Sequence, residues 1–368
     1  MSTFVSVYLF VYADSLIIMA LYTIIRIGLF PVSFILGSKI AKKVSFTVTY
    51  AMGLVLITCS LIYALLGAPL FQINKYYVLI TAFITGIGEG FYYFSSNTCN
   101  QIVSTAASRA KFLSANGVFN NISCLLAPFV ANLIINFSNN DMEGYKRILY
   151  LTIIIFILVI IISLSINKKS DDKDIPLLNS FKIKDDEMWR DHQLGIFYYG
   201  LMNSLSLILV SILIYNAAGT GNTYSRLQTI FALICVLSYR LIMKKLKREN
   251  LPRTFKIGYI IKASSTIVLV LFPNMFGAIY YGIVNAISSA LYDNSYNLLS
   301  ASIIGHYHDE MTARVVARET VLSFGRCVGM GFIILCNKVL PENLYLQVSV
   351  ILLSLTPVFV YKKLIKYN

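Results

Sequence analysis

The sequence is poor in charged residues. Only 13% of its 368 residues are Asp, Glu, Lys or Arg, whereas a soluble globular protein usually carries about 25%. Hydrophobic residues make up 57% of the chain, and the mean hydropathy is +0.71. This composition excludes an ordinary soluble domain and indicates a protein embedded in a lipid bilayer.

Motifs for catalysis and cofactor binding are also scarce. None of the six cysteines has C-x-x-C spacing, so neither a disulfide framework nor a zinc site is indicated. His306 and His308 lack a third metal ligand, and no Gly-rich phosphate loop with a following Lys is present. No Ser–His or Cys–His arrangement for nucleophilic catalysis is recognisable. We therefore expect no enzyme, no metal, no other cofactor and no ATP-driven pump.

The net charge of +14 has an explanation other than nucleic-acid binding. The Lys and Arg residues lie in short gaps between apolar stretches, and they are not interleaved with stacking aromatics on a soluble module. We expect a lipid bilayer as partner and no nucleic acid.

Apolar stretches recur along the whole chain. The clearest, Ile148–Ile166, has no charge, and about 20 residues of apolar helix match the hydrocarbon core of a bilayer. We therefore predict an all-α polytopic membrane protein with about eleven transmembrane helices. The predicted spans are 15–39, 46–67, 76–103, 112–137, 148–166, 193–217, 223–243, 254–273, 276–302, 313–340 and 344–362.

Basic residues occupy every second gap between these spans. By the positive-inside rule the basic gaps are cytoplasmic, which places the C-terminus in the cytoplasm. The polar stretch 167–192 divides the chain into an N-terminal bundle, 1–166, a cytoplasmic linker and a C-terminal bundle, 193–368. Residues 1–39 are too short for two spans, so we expect that most of the first transmembrane helix is missing.

Two spans repeat one another weakly. Thr85–Ser104 aligns with Tyr281–Ser300, which places Glu89 opposite Asn285, and each segment is followed by a short basic loop. Two repeated halves joined by a polar linker are a common plan among secondary transporters.

Two short motifs resemble those of the major facilitator superfamily. Gly37 is followed by Lys42 and Lys43 after the first span, although the family's acidic residue is absent there. Pro128 lies among small residues where exporter branches of the family have a Gly-Pro motif. The resemblance covers the chain from about residue 4 to its end.

The resemblance carries several expectations. It implies a fold of two six-helix bundles, a bacterial cytoplasmic membrane location, a small organic solute and, as we favour, a monomer. It implies that helices 3, 6, 9 and 12 form an outer scaffold while the other helices line a cavity. On that alignment Gly37, Lys42 and Lys43 are candidates for the inner gate.

Charged residues inside the spans are the main site candidates, because each costs about 2.5–3.5 kcal/mol on insertion scales unless it has a partner or water. Glu89 lies halfway along its span, between Gly88 and Gly90. Burial disfavours its charged form, so it is a candidate for proton or substrate handling. The alternative is a permanent structural ion pair with Arg26, which lies at similar depth.

The C-terminal half contributes a second group. Glu319 and Arg326 are seven residues apart and share a helix face, and Arg326 near mid-membrane is placed to meet an anionic group. Asp293 and Glu319 are inner-gate candidates, with Arg318 as a partner. Lys262, on an outer-scaffold helix, is expected to extend toward the cytoplasm.

Buried amides and aromatics complete the candidates. Asn116 and Asn120 share a face by i, i+4 spacing, and Asn203 and Asn285 add to it. Such amides either bind substrate or bond across helices. Neighbouring tyrosines such as Tyr92 and Tyr93 could cradle an amphipathic molecule. Tyrosine is also enriched at membrane interfaces, which is the favoured interpretation for the other two tyrosine pairs.

Two functions remain open. The first is a secondary transporter that moves a small organic solute by alternating access, coupled to protons through Glu89, with efflux slightly favoured. The second is a non-transporting relic, or a sensing and binding protein on the same scaffold.

Overall fold

The computed structural model describes residues 2–103, 109–166, 186–207, 209–243, 248–307, 311–341 and 344–367. Within these ranges the chain is almost entirely helical and has no β-strand, which confirms the predicted all-α fold. The residues form two units, Met1–Cys124 with Ile134–Asp174 and Leu125–Leu133 with Ile175–Asn368. The bundle and linker bounds read from the sequence stay a prediction.

The helices of the described ranges are mostly long elements. In the first half they are α1 (Ser2–Ala13), α2 (Leu16–Gly28), α3 (Phe30–Lys43), α4 (Phe46–Leu66), α5 (Ala68–Ile73), α6 (Val78–Val103), α7 (Arg109–Asn136) and α8 (Asp141–Ser165). In the second half they are α9 (Glu187–Leu207), α10 (Leu209–Ala218), α11 (Gly221–Met243), α12 (Leu251–Leu271), α13 (Met275–Ser288), α14 (Asn294–Gly305), α15 (Met311–Val339), α16 (Tyr345–Ser354) and α17 (Pro357–Leu364).

Nine helical segments within the described ranges are long and apolar enough to cross a membrane. They are Leu16–Ala41, Phe46–Leu66, Lys75–Cys99, Asp141–Ser165, Glu187–Ala218, Leu251–Leu271, Met275–Gly305, Ala313–Val339 and Tyr345–Tyr367. Each coincides with a predicted span. Of the other two predicted spans, α11 has the length but is less apolar, and α7 contributes its apolar segment Leu125–Asn136.

Polar capping residues set the start of several helices. The Ser45 side chain accepts a hydrogen bond from the Val48 N–H (3.1 Å) at the start of α4. Asn140 accepts one from the Glu143 N–H (2.8 Å) at the start of α8. Each bond satisfies a backbone donor that has no partner within the helix, so these long apolar helices begin at defined residues.

One helix is interrupted close to its middle. Between α13 and α14 the residues Ser289–Asp293 form a single π-helical turn. A Cβ on Gly258 of α12 would lie 2.7 Å from the Tyr292 backbone nitrogen, so only glycine allows α12 to approach this turn. Such π-turns are rare and frequently occur at functional sites, and this one carries Asp293.

Candidate functional site

In the first unit, glycines bring α6 against α2 and α3. A Cβ on Gly86 would lie 2.4 Å from the Arg26 carbonyl oxygen, and one on Gly90 would lie 2.2 Å from the Ser33 Cβ. Real Cβ atoms essentially never approach so closely, so glycine is required at both positions. Glu89 lies between these close contacts, and its backbone is therefore held against α2.

This packing joins Glu89 to Arg26 in a bidentate ion pair. Arg26 Nε donates to Glu89 Oε2 (2.7 Å) and Arg26 Nη2 donates to Glu89 Oε1 (2.6 Å). Both side chains are largely buried, with 13% and 14% of their surface exposed. The bidentate geometry matches the planar fork of the guanidinium to the carboxylate. The structure therefore contains the pair that the sequence left as one of two alternatives.

A cavity of about 430 Å³ lies beside this pair within the first unit. Besides the two charged side chains, its lining includes Tyr22, Tyr50, Tyr92 and Phe156. The walls are therefore aromatic and apolar, with one neutralised charge pair and a few hydroxyl groups. Ligand sites commonly combine an apolar lining with a few placed polar groups, so the cavity can accommodate an amphipathic organic molecule.

In the second unit a lysine lies beside the π-turn. The Nζ of Lys262 donates to Asp293 Oδ2 (3.2 Å) and to Ser289 Oγ (3.2 Å), both on the π-turn. The expectation that Lys262 extends toward the cytoplasm stays a prediction. The hydroxyl of Tyr199 donates to the other carboxylate oxygen, Oδ1 (3.3 Å). The partner of Asp293 is thus Lys262, because the close approach of α12 to the π-turn brings the lysine within reach.

Arg318, which the sequence suggests as a partner of the inner-gate carboxylates, forms an ion pair with the adjacent Glu319. Asp293 is paired with Lys262 instead. Further along α15, Arg326 Nε donates to the amide oxygen of Asn203 on α9 (2.8 Å). Among the predicted site residues of this unit, the structure thus joins Arg318 with Glu319 and Arg326 with Asn203, and their assignment to a gate or a substrate site stays a prediction.

Asn285 lies on α13 without such a partner. Its Oδ1 is buried and accepts no hydrogen bond from the described residues. Buried polar atoms of this kind are uncommon and call for an explanation such as bound water or a ligand. Within the described ranges no group of three His, Cys, Asp or Glu side chains could hold a metal ion. Asn285 stays a predicted substrate residue.

Of the remaining candidates, some lie within the described residues and some do not. Gly37 is buried and Lys43 is exposed near the end of α3. The side chain of Lys42 falls outside the described residues, as do those of Asn116 and Asn120 on α7. Their assignment to an inner gate or a substrate face therefore stays a prediction.

Sequence reasoning missed a cluster that joins the start of α9 to the start of α15. The Arg314 guanidinium carbon lies 4.5 Å from the centre of the Trp189 ring and 3.5 Å from that of the Tyr307 ring. The Tyr307 hydroxyl donates to Asp186, and Arg314 Nη1 lies 3.8 Å from the same carboxylate. These contacts fix the ends of the two helices relative to one another.

The ionisable groups of this cluster outside the spans influence one another. Partial burial acts to raise the pKa of Asp186, but the bonds from Tyr307 and the Trp189 N–H, with the charge of Arg314, outweigh it and lower that pKa. Burial and the bond to Asp186 raise the pKa of Tyr307. The carboxylate of Asp186 is therefore charged in the folded protein at neutral pH.

Long apolar helices with ion pairs buried in both units define a class of protein. Ionisable residues inside spans are costly and mark solute or ion pathways, so the class indicated is that of multi-pass membrane transporters.

Comparison with known proteins gives the family. Residues 1–330 match the Major Facilitator Superfamily, and the chain belongs to that superfamily. It is 23% identical over 365 residues to the uncharacterized protein YqgE of Bacillus subtilis, covering 98% of this chain and 84% of YqgE.

Solved transporters share the fold. The fucose:proton symporter FucP of Escherichia coli is 14% identical, with a TM-score of 0.60 over 100% of this chain and 96% of FucP. The nucleoside transporter NupG is 13% identical, with a TM-score of 0.69 over 100% of this chain and 94% of NupG. At these identities the likeness concerns the fold alone.

Proposed function

We propose that this secondary transporter moves a small organic solute across the cytoplasmic membrane, coupled to protons through Glu89. The observation that carries the proposal is the bidentate Arg26–Glu89 pair beside an aromatic cavity in the first unit. Alternating access would present this site to one side of the membrane and then to the other.

The pair couples protonation to the state of the cavity. While Glu89 is charged, it neutralises Arg26, and the two buried side chains carry no net charge. Protonation of Glu89 leaves the guanidinium without its counter-charge, because Arg stays protonated. An unmatched charge inside a span is costly, so protonation is favoured only when water or a solute reaches the site. Proton uptake and the opening of the site are thereby linked.

The finer features of the proposal come from the chain's aromatics and motifs. The tyrosines around the cavity suit an amphipathic solute, and Pro128 within α7 is the feature that favours efflux over uptake. The proposed orientation, with the C-terminus in the cytoplasm, rests on the distribution of Lys and Arg.

The experiment is flux into proteoliposomes across an imposed pH gradient. A panel of labelled neutral, anionic and cationic organic solutes is tested with the wild type and with Glu89→Gln. For a solute that the wild type moves, the variant should lose pH-driven accumulation while solute exchange without a gradient persists. Full pH-driven accumulation by E89Q would contradict the coupling role.

A second variant guards against misfolding of the first. In R26Q/E89Q neither position carries a charge, so the double variant should fold even where E89Q is unstable. It should show the same loss of pH-driven accumulation. A wild-type protein that binds solutes of the panel but moves none of them would favour the sensing and binding function over transport.

A further inference from the structure

The partly or fully buried cations inside the spans differ in their ion-pair partners. Most have a carboxylate partner within the described residues: the pairs are Arg26–Glu89, Lys262–Asp293 and Arg318–Glu319. Arg326 is the exception. In the described part of the chain no Asp or Glu oxygen lies within 4.0 Å of its guanidinium, and its bond is to the neutral amide of Asn203.

The depth of Arg326 in the membrane makes its unpaired charge energetically costly. It is the sixteenth residue of α15, a helix of 29 residues, so it lies about 22 Å from the start of a helix about 43 Å long. That depth is close to the middle of a bilayer core of about 30 Å. A neutral amide does not cancel a charge, so the insertion cost of about 2.5–3.5 kcal/mol is not offset by a counter-ion.

Close helix packing fixes the arginine in place. A Cβ on Gly200 of α9 would lie 3.0 Å from the Gly325 Cα, and one on Gly329 would lie 2.3 Å from Ser204 Oγ. Small residues four apart allow two helix backbones to approach closely within a membrane. Arg326 follows directly after the first of these contacts, so its side chain starts from a rigid seam between α9 and α15.

The bond to Asn203 uses one edge of the guanidinium. Nε donates to the amide oxygen, and neither Nη atom has an acceptor among the described residues. Arg carries five N–H donors in a planar fork, which suits bidentate binding of a carboxylate or phosphate. Asn203 therefore orients the guanidinium and leaves donors available.

Among the described residues of this unit, the carboxylates inside the spans already have partners, since Glu319 is paired with Arg318. Asp293 lies in the same unit, but Lys262 and Tyr199 occupy its two oxygens. The Tyr199 ring stacks on that of Tyr296 with centres 3.9 Å apart. The group of Lys262, Asp293 and Arg326 thus keeps a net charge of one positive unit.

We infer that Arg326 binds an anionic group, a carboxylate or a phosphate, on the transported solute, with Asn203 as its positioning residue. This inference rests on the proposed transport function and names the substrate class. The solute supplies the missing counter-charge of Arg326 when it is bound.

Binding to the purified protein tests the inference. The probes are pairs of organic acids and their uncharged amides, together with phosphate monoesters and the matching alcohols, and the readout is ligand-induced thermal stabilisation. At least one anion should stabilise the wild type while its neutral counterpart does not. Arg326→Gln should weaken that binding about 30-fold or more, which corresponds to about 2 kcal/mol. Arg326→Lys should retain part of the affinity.

The control is Arg226→Gln, which removes an exposed arginine of α11 and should bind as the wild type does. Equal binding by R326Q and the wild type would overturn the inference, as would the absence of any acid-selective stabilisation. Coupled flux of neutral solutes alone would leave the proposed function standing and refute the anion site. Anion binding that depends on Arg326, without flux of any solute, would support the anion site and refute the proposed transport function.

Discussion

Removing one partner of the Arg26–Glu89 pair should strongly lower the free energy of unfolding, whereas removing both partners should not. Two unit charges about 4 Å apart attract by about 4 kcal/mol at an effective dielectric constant of 20. Removing one partner of a buried pair typically costs about 3–5 kcal/mol, because the other charge is left unmatched. With 13% and 14% of the side chains exposed, water offers little compensation in this state.

The two single variants should not cost the same. In E89Q the guanidinium keeps its charge, since Arg does not deprotonate, so the loss should reach about 3–5 kcal/mol. In R26Q the carboxylate can take up a proton and become neutral. The loss in R26Q should therefore be smaller, and it should shrink further at acidic pH.

The double variant completes the cycle. R26Q/E89Q has no charge at either position of the pair, so it should lie within about 1–2 kcal/mol of the wild type. The coupling energy between the two positions should therefore exceed about 2 kcal/mol, at the upper end of the range for contacting residues.

The assay is unfolding in mixed micelles, followed by circular dichroism of the helices. The single tryptophan, Trp189, is unsuitable as the probe, because it belongs to the other unit. Two results would refute the reasoning: a loss below about 1 kcal/mol in E89Q, or single losses that simply add in the double variant. Either would mean that the pair does not hold the dominant state together.

Three further predictions concern other contacts, and each has an outcome that would contradict it. Gly90→Ala should cost about 1–3 kcal/mol through overpacking, whereas Gly331→Ala, where an added Cβ meets nothing within 4 Å, should be neutral or stabilising; equal effects in thermal unfolding would contradict the close contact. Asp293→Asn should destabilise more than the double variant with Lys262→Met, because the double variant removes both charges; the reverse order in the same assay would contradict the pair. The folded-state pKa of Asp186 is lowered, so its stabilisation is present above the unfolded value of about 3.9 and is lost as the pH falls through the folded pKa; D186N should flatten the acid limb of a stability–pH curve, and an unchanged limb would contradict that role.

The sequence was sufficient for the fold class and for the depth of the charges. Runs of about 20 apolar residues can cross a bilayer only as helices, and depth follows from the rise of 1.5 Å per residue. That reasoning placed Arg26 and Glu89 at similar depth and so raised the pair as a possibility. It could not choose between a pair and a free carboxylate, because the choice depends on the close packing at Gly86 and Gly90.

The partner of Asp293 in the second unit could not be derived from the sequence. Depth alone does not tell which helices are neighbours or how a side chain points around its helix. The π-turn at Ser289–Asp293 adds to this, since one wider turn rotates every later side chain relative to a regular helix. The sequence therefore did not indicate that Gly258 allows Lys262 to reach Asp293. No pattern in a single chain marks such a turn.

The two proposed sites together make a prediction about direction that neither makes alone. Glu89 carries one proton, and the case considered is a monocarboxylate, which brings one negative charge to Arg326. If both move the same way, as in uptake by symport, one cycle transfers no net charge. If they move in opposite directions, as in efflux by antiport, one cycle transfers two charges, and the membrane potential contributes roughly 4.6 kcal/mol per 100 mV, at 2.3 kcal/mol for each charge. Flux into proteoliposomes with a potassium diffusion potential separates the cases. Flux of a monoanionic solute that rises steeply with voltage supports the proposed efflux, and flux indifferent to voltage would show that the transporter works by symport.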